Sequence, residues 1–107
     1  MKLQGKTIFI TGASIGQALG LKILEAKFNT PTQTIIDAKV VVLMGDGCVM
    51  EGITSEVSSL AGHLKLNNVI AIYDSNHICL DGPTSETLSE DTKMRYLAYG
   101  WEVYEID

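Results

Sequence analysis

The apolar positions of the chain change period from stretch to stretch. Lys6-Thr7-Ile8-Phe9-Ile10-Thr11 is a short β-branched and aromatic run that stops at Gly12, while Lys39-Val-Val-Val-Leu-Met-Gly45 and Val69-Ile-Ala-Ile-Tyr73 are continuous apolar runs of strand length. Runs bounded by glycine, Asn or Asp in this way read as strands buried on both faces. Between them the spacing turns helical. Ile15, Ala18, Leu19, Ile23 and Ala26, widened by Leu21, Leu24 and Phe28, form one stripe, and Val57, Leu60, Ala61 and Leu64 form a second. The second leaves Ser55, Glu56, Ser58, Ser59, His63 and Lys65 on a polar face. Thr87 or Ser89 can cap a last helix that runs to Tyr99, Gly100 suits the position after it, and residues 101–106 alternate as an edge strand does.

The resulting order, β-α-β-α-β-α-β, predicts an α/β fold: a Rossmann-like three-layer sandwich in one domain, about four parallel strands alternating with helices. Gly12-Ala13-Ser14-Ile15-Gly16 reads as a tight strand-to-helix turn, and Gly16 and Gly20 as places where the first helix approaches the strands closely. Residues 28–34 are a polar, proline-bearing connection, and residues 78–90 a loop.

Composition narrows the function classes. The chain has 107 residues, 46% of them hydrophobic, with a net charge of −5 and no basic cluster, which speaks against nucleic-acid binding. No apolar run approaches the roughly 20 residues that span a bilayer, so no membrane role is expected. Cys48 and Cys79 lack metal-site spacing and read as small apolar residues in a reducing, cytoplasmic setting. The first residues carry no apolar segment behind their charges, so no signal peptide is expected. Met44 and Met50 read as core filler, and Glu86, Glu90 and Asp91 as a solvated face.

Candidate chemistry gathers at the ends of two strands. Asp46 follows the first long apolar run inside Gly45-Asp46-Gly47, and Asn76 follows the second, thirty positions later. If the two strands are neighbours, both side chains emerge at one rim of the sheet, where α/β proteins hold phosphates. Asp46, Asn76 and the carbonyl of Ile78 then offer three hard oxygen ligands of the kind Mg²⁺ takes. The competing reading of Gly45-Asp46-Gly47 is a strand-ending turn with a solvated carboxylate. His77 lies beside Asn76, within reach of a phosphate, or is solvated like His63.

Two family resemblances follow from these residues. Leu3-Gln4-Gly5-Lys6-Thr7-Ile8-Phe9-Ile10-Thr11-Gly12-Ala13-Ser14 resembles the first strand and turn of short-chain dehydrogenases, whose cofactor turn reads Thr-Gly-x-x-x-Gly-x-Gly. Thr11, Gly12 and Gly16 match it, Ala18 stands in place of the last glycine, and no Tyr-x-x-x-Lys is present. That resemblance implies a Rossmann-like start with an NAD-type turn at Thr11, Gly12 and Gly16, and no dehydrogenase chemistry. Gly45-Asp46-Gly47-Cys48-Val49-Met50-Glu51-Gly52-Ile53, Ser59-Leu60-Ala61-Gly62-His63-Leu64-Lys65-Leu66, Tyr73-Asp74-Ser75-Asn76, Asp91-Thr92-Lys93-Met94-Arg95 and Ala98-Tyr99-Gly100-Trp101 resemble the diphosphate-binding domain of transketolase from about Lys22 to Asp107.

The second resemblance implies that Asp46, Asn76 and the Ile78 carbonyl bind Mg²⁺. It also implies that Gly45 and Gly47 line the diphosphate of thiamine diphosphate, and that Glu51 sits where the family links paired subunits. The pyrimidine-binding domain of that family has no counterpart in the chain, so autonomous catalysis is not expected. With dehydrogenase-like residues 1–14 and transketolase-like residues 22–107, the expectation is an engineered chimeric scaffold joined between Ser14 and Lys22. The alternatives are a thiamine diphosphate and Mg²⁺-binding module or fragment of a transketolase, and an NAD(P)-binding Rossmann fragment. Apolar surface at the cut edges predicts self-association.

Overall fold

A computed structural model describes residues 11–79 and 82–106, so the strand expected at Lys6–Thr11 lies outside the described residues apart from Thr11, which is helical. Helix α1 spans Thr11–Phe28. Strand β1, Val40–Gly45, leads directly into helix α2, Asp46–Met50, and helix α3, Gly52–His63. Strand β2, Val69–Asp74, is followed by the short strands β3, Ile78–Cys79, and β4, Gly82–Pro83. A 3₁₀ turn at Thr84–Glu86 precedes helix α4, Thr92–Ala98.

β1 and β2 pair in parallel, in register from Val40↔Val69 to Gly45↔Asp74. With α2 and α3 as the crossover, this is a single βαβ unit. Among the described residues the only other ladder is the antiparallel pair β3–β4, Ile78↔Pro83 and Cys79↔Gly82. The four parallel strands of a three-layer sandwich are therefore not formed by the described residues. Residues 101–106 join no ladder among the described residues; Trp101 and Val103 pack on the core while Tyr104 and Ile106 are exposed.

The core lies on one side of the β1–β2 pair. Val42, Met44, Val49 and Tyr96 are its buried centre, with Val40, Val69, Ala71 and Tyr73 around them. The strands were expected to be buried on both faces, but they alternate. Val41, Leu43, Ile70 and Ile72 face away from that core and are 43%, 47%, 48% and 51% exposed. Asn68, fully buried, ties α1 to the start of the sheet: its Nδ2 donates to the Ala18 carbonyl at 2.9 Å, and its own carbonyl accepts from Val40 N at 2.7 Å.

Residues 12–16 belong to α1 and make no strand-to-helix turn. Ser14, Ile15 and Ala18 form the buried face of the helix, whereas Gly16 and Gly20 have nothing among the described residues within 4 Å of where a Cβ would sit, so neither brings α1 close to a described strand. In α3 the buried positions are Thr54, Ser58 and Ala61, while Leu60 and Leu64, placed in the apolar stripe from sequence, are exposed. At Gly62 the residue just past α4 comes very close. A Cβ on Gly62 would lie 1.9 Å from the Tyr99 carbonyl oxygen. Two further bonds hold the helices together: Trp101 Nε1 donates to the Ser58 carbonyl at 2.9 Å, and the Ser58 and Tyr96 hydroxyls are 3.2 Å apart. The cap of α4 is Asp91, accepting from Met94 N at 2.9 Å, and neither Thr87 nor Ser89. At its far end Gly100 takes φ +87, the left-handed conformation that ends helices.

Candidate functional site

The parallel register settles the geometric condition on the rim. Gly45 pairs with Asp74 at the carboxyl ends of adjacent strands, so Asp46 follows one strand end and Asn76 lies two residues past the other. The α2 segment that begins at Asp46 packs against β3, which begins at Ile78. Asp46, Gly47, Asn76 and Ile78 thus belong to one end of the sheet.

Asp46 is 2% exposed. It continues the inward series Val40, Val42, Met44 by one more pair of positions, which carries its carboxyl under the rim instead of into solvent. One oxygen, Oδ1, accepts a hydrogen bond from the Tyr73 hydroxyl. The other, Oδ2, is buried without a hydrogen-bond partner among the described residues. A buried, unpartnered carboxyl oxygen carries a desolvation cost that a cation can offset.

The glycines leave room beside it. Nothing lies within 4 Å of a Cβ built on Gly45, and on Gly47 only the Cys79 Sγ, at 4.0 Å, is that near. Asn76 is exposed, and its carboxamide shapes the turn: Oδ1 accepts from Ile78 N at 3.1 Å and Nδ2 donates to Asp74 Oδ2 at 3.3 Å. A carboxamide oxygen has two lone pairs, so this bond leaves one for a cation. His77 takes φ +62, a conformation uncommon for a non-glycine residue, and its carbonyl accepts from Thr84 N at 3.0 Å. This kink and the β3–β4 ladder fix the backbone at Ile78. His77 and His63 are both exposed. Among the described residues no group of three or more His, Cys, Asp or Glu gathers as a metal cluster, so a cation here would rely on the mixed oxygen set of carboxyl, carboxamide and backbone carbonyl.

Glu51 stands at the corner between α2 and α3, exposed; its N–H donates to the Cys48 carbonyl at 3.4 Å and its carbonyl accepts from Thr54 N at 3.0 Å. The Thr54 hydroxyl adds a bond to the Cys48 carbonyl at 2.7 Å, which stitches the two helices. Arg95 clamps α2 from α4, with Nη2 donating to the Val49 carbonyl at 3.0 Å and Nη1 bonding Glu90. Glu90 and Asp91, expected to be merely solvated, thus have an ion pair and a helix cap between them. Cys48 and Met50 are exposed, and the Cys79 thiol lies 3.6 Å from the Met50 sulfur, so of the two methionines only Met44 fills the core.

Tyr73 is the site residue that sequence reasoning missed. It reads as the last apolar residue of a strand, yet it pairs with Met44 across the sheet, and Asp46 follows two residues after Met44, just past the end of β1. The signal was there in the alternation: Val69, Ala71 and Tyr73 share a face, and a tyrosine at the last inward position carries a hydroxyl to the rim. Burial, followed by the bond it donates to Asp46, pushes the Tyr73 phenol above its ordinary range, while hydrogen bonds from the side chains of Ser75 and Thr92 pull it partly back.

A parallel βαβ pair with a buried carboxyl, a carboxamide and two open glycines at one rim is an α/β arrangement of the kind that places ligands at the carboxyl ends of its strands. The chain belongs to the transketolase family: residues 5–107 match the model described as transketolase, thiamine diphosphate binding domain. It is 52% identical over 94 residues to transketolase 1 of Saccharomyces cerevisiae, covering 88% of this chain and 14% of that protein. It is 53% identical over 92 residues to the transketolase of Physarum polycephalum, covering 86% and 14% respectively. Among solved structures, the transketolase of Leishmania mexicana superposes with a TM-score of 0.87 at 44% identity, over 90% of this chain and 14% of that one. A Pichia stipitis transketolase, solved as a complex with sedoheptulose 7-phosphate, superposes with a TM-score of 0.83 at 46% identity, again over 90% and 14%. The chain thus spans about one seventh of the length of these relatives.

The family match runs from residue 5 straight through the interval 14–22, so the expectation of an engineered junction there, with dehydrogenase-like residues before it, has no support. A β-branched run followed by Thr-Gly is too generic an α/β feature to tell the two families apart. Thr11, Gly12 and Gly16, offered as an NAD-type turn, lie in the continuous helix α1.

Proposed function

We propose that this chain is the part of a transketolase that holds the diphosphate end of thiamine diphosphate together with Mg²⁺. The observation that carries the reading is Asp46 Oδ2, a buried oxygen without a partner, beside two glycines with open space at the rim of adjacent parallel strands. Asp46, Asn76 and the carbonyl of Ile78 would ligate the cation, and Gly45 and Gly47 would let the diphosphate approach the backbone. When bound, thiamine diphosphate supplies the thiazolium carbon that accepts a two-carbon ketol unit. The residues of this chain bind and orient the diphosphate end and keep the cation's carboxyl ligand out of bulk water. Ketol transfer between sugar phosphates is proposed for the longer transketolase of which such a segment forms one wall, because a cofactor of this size needs most of its surface buried. Glu51, exposed at the α2–α3 corner, would meet the second subunit.

Calorimetric titration of the chain with thiamine diphosphate, with and without Mg²⁺, tests this reading. Binding heat that requires Mg²⁺ is expected, and Asp46→Ala should weaken it at least tenfold, because the substitution removes the only charged ligand. Binding that ignores Mg²⁺, or that survives Asp46→Ala unchanged, would count against the rim as the site.

A further inference from the structure

The cation set proposed above depends on which Asp46 oxygen is free, and that is decided by a residue outside the set. Tyr73 stands at the last inward position of β2, opposite Met44, and its hydroxyl bonds Asp46 Oδ1. Oδ2, the other oxygen, has no partner. The side-chain hydroxyls of Ser75, one residue past the strand, and Thr92, the first residue of α4, lie near enough to act on the phenol. We infer that Tyr73 is the positioning residue of the cation site, fixing the Asp46 carboxyl in the one orientation that leaves Oδ2 for the metal.

An aspartate has two χ angles, and without a donor on Oδ1 nothing distinguishes its two oxygens; a donor fixed on the paired strand β2 removes that ambiguity before the cation arrives. Mg²⁺ requires near-octahedral ligands at about 2.1 Å and tolerates misplacement poorly, whereas Ca²⁺ accepts irregular sets at longer range. A loosened Asp46 therefore penalises Mg²⁺ more than Ca²⁺. Outer hydrogen-bond partners of metal ligands are typically worth about 10- to 100-fold in metal affinity.

This inference rests on the proposed diphosphate reading, and the test separates the two. The chain, Tyr73→Phe and Thr92→Val are titrated with thiamine diphosphate in Mg²⁺ and, separately, in Ca²⁺, with thermal unfolding as a check on the fold. Tyr73→Phe is expected to bind about tenfold or more weakly in Mg²⁺, to lose much less in Ca²⁺, and so to narrow the preference between the ions. A merely structural role would lower the melting temperature and leave that preference alone. Thr92→Val, which keeps the phenol but removes a neighbouring hydroxyl that acts on it, is expected to lose about threefold in Mg²⁺. Unchanged affinity and ion preference in a folded Tyr73→Phe would overturn the positioning role while leaving the diphosphate reading intact. If Tyr73→Phe does not fold, Thr92→Val decides: the loss in Mg²⁺ supports the inference and its absence overturns it. No Mg²⁺-dependent binding by the parent chain would overturn both.

Discussion

At the scale of single residues, the rim combines one strained and one underused group. His77 holds a left-handed backbone so that Asn76 and Ile78 face the same turn, and Asp46 keeps one oxygen buried and unpartnered. Natural proteins retain such features where a ligand offsets their cost. Tyr73 links this site to stability through pH. Its folded-state pKa lies above the ordinary phenol value of about 10, first through burial and then through the bond it donates to Asp46. A group whose pKa is raised on folding contributes stability in full below its unfolded pKa and loses it as pH climbs through the folded value. Denaturant unfolding is therefore expected to show falling stability from about pH 10 upward, and Tyr73→Phe should flatten that slope while costing about 1–3 kcal/mol at neutral pH. An equally steep alkaline loss in Tyr73→Phe would mean that another group governs it. Asp46 and Asn76 were legible in the sequence because both follow glycine- or Asp-terminated apolar runs. The phenol that orients one of them was not, since strand periodicity marks a face and says nothing of what a terminal hydroxyl reaches.

At the scale of elements, the α3–α4 contact organises the fold around the site. Gly62 permits it: with the Tyr99 carbonyl 1.9 Å from where a Cβ would be, Gly62→Ala forces the backbones apart, since the obstruction is main chain and cannot rotate away. The tilt would also stretch the Trp101–Ser58 and Ser58–Tyr96 bonds and open the edge-on packing of Tyr96 against Trp101, whose ring centroids are 5.5 Å apart. Overpacking of this kind costs about 1–3 kcal/mol and more where backbone must move, so Gly62→Ala is expected to lose about 3 kcal/mol in denaturant unfolding. A loss below about 1 kcal/mol would show that the helices can separate at little cost.

The same contact explains which elements could be read from sequence. The places of α1, β1, α3, β2 and α4 follow from period and punctuation. The inward face of α3 did not, because the reading assumes that large apolar side chains point inward, and the small residues Thr54, Ser58 and Ala61 pack there instead, on a helix that meets α1 and α2. The edge strand at 101–106 failed for a related reason. Its alternation is real, with Trp101 and Val103 half-buried, but a ladder needs a partner edge, which a local pattern does not supply.

At the scale of the whole molecule, one face of the β1–β2 pair has no cover among the described residues. The parallel register sets Val41 beside Ile70 and Leu43 beside Ile72, so four large apolar side chains form a contiguous patch, each roughly half exposed. The sheet is too narrow to hide such a patch by twisting, and no charged residue interrupts it. Burying apolar surface stabilises by about 25 cal/mol per Å², and the occupant always present in a purified sample is a second copy presenting the same patch. A two-fold pairing of sheet faces satisfies both copies at once, since an isologous contact needs only a self-complementary surface. The net charge of −5 opposes close approach, so the association should strengthen as salt screens the repulsion. Sedimentation velocity is expected to show a concentration-dependent shift toward dimer that grows with ionic strength. Ile72→Lys, which places a charge at the centre of the patch and leaves the inward face and the rim untouched, should return the chain to monomer. Persistence of the dimer in Ile72→Lys would move the contact elsewhere, with the exposed Leu19, Ile23 and Phe28 of α1 as the next surface to substitute.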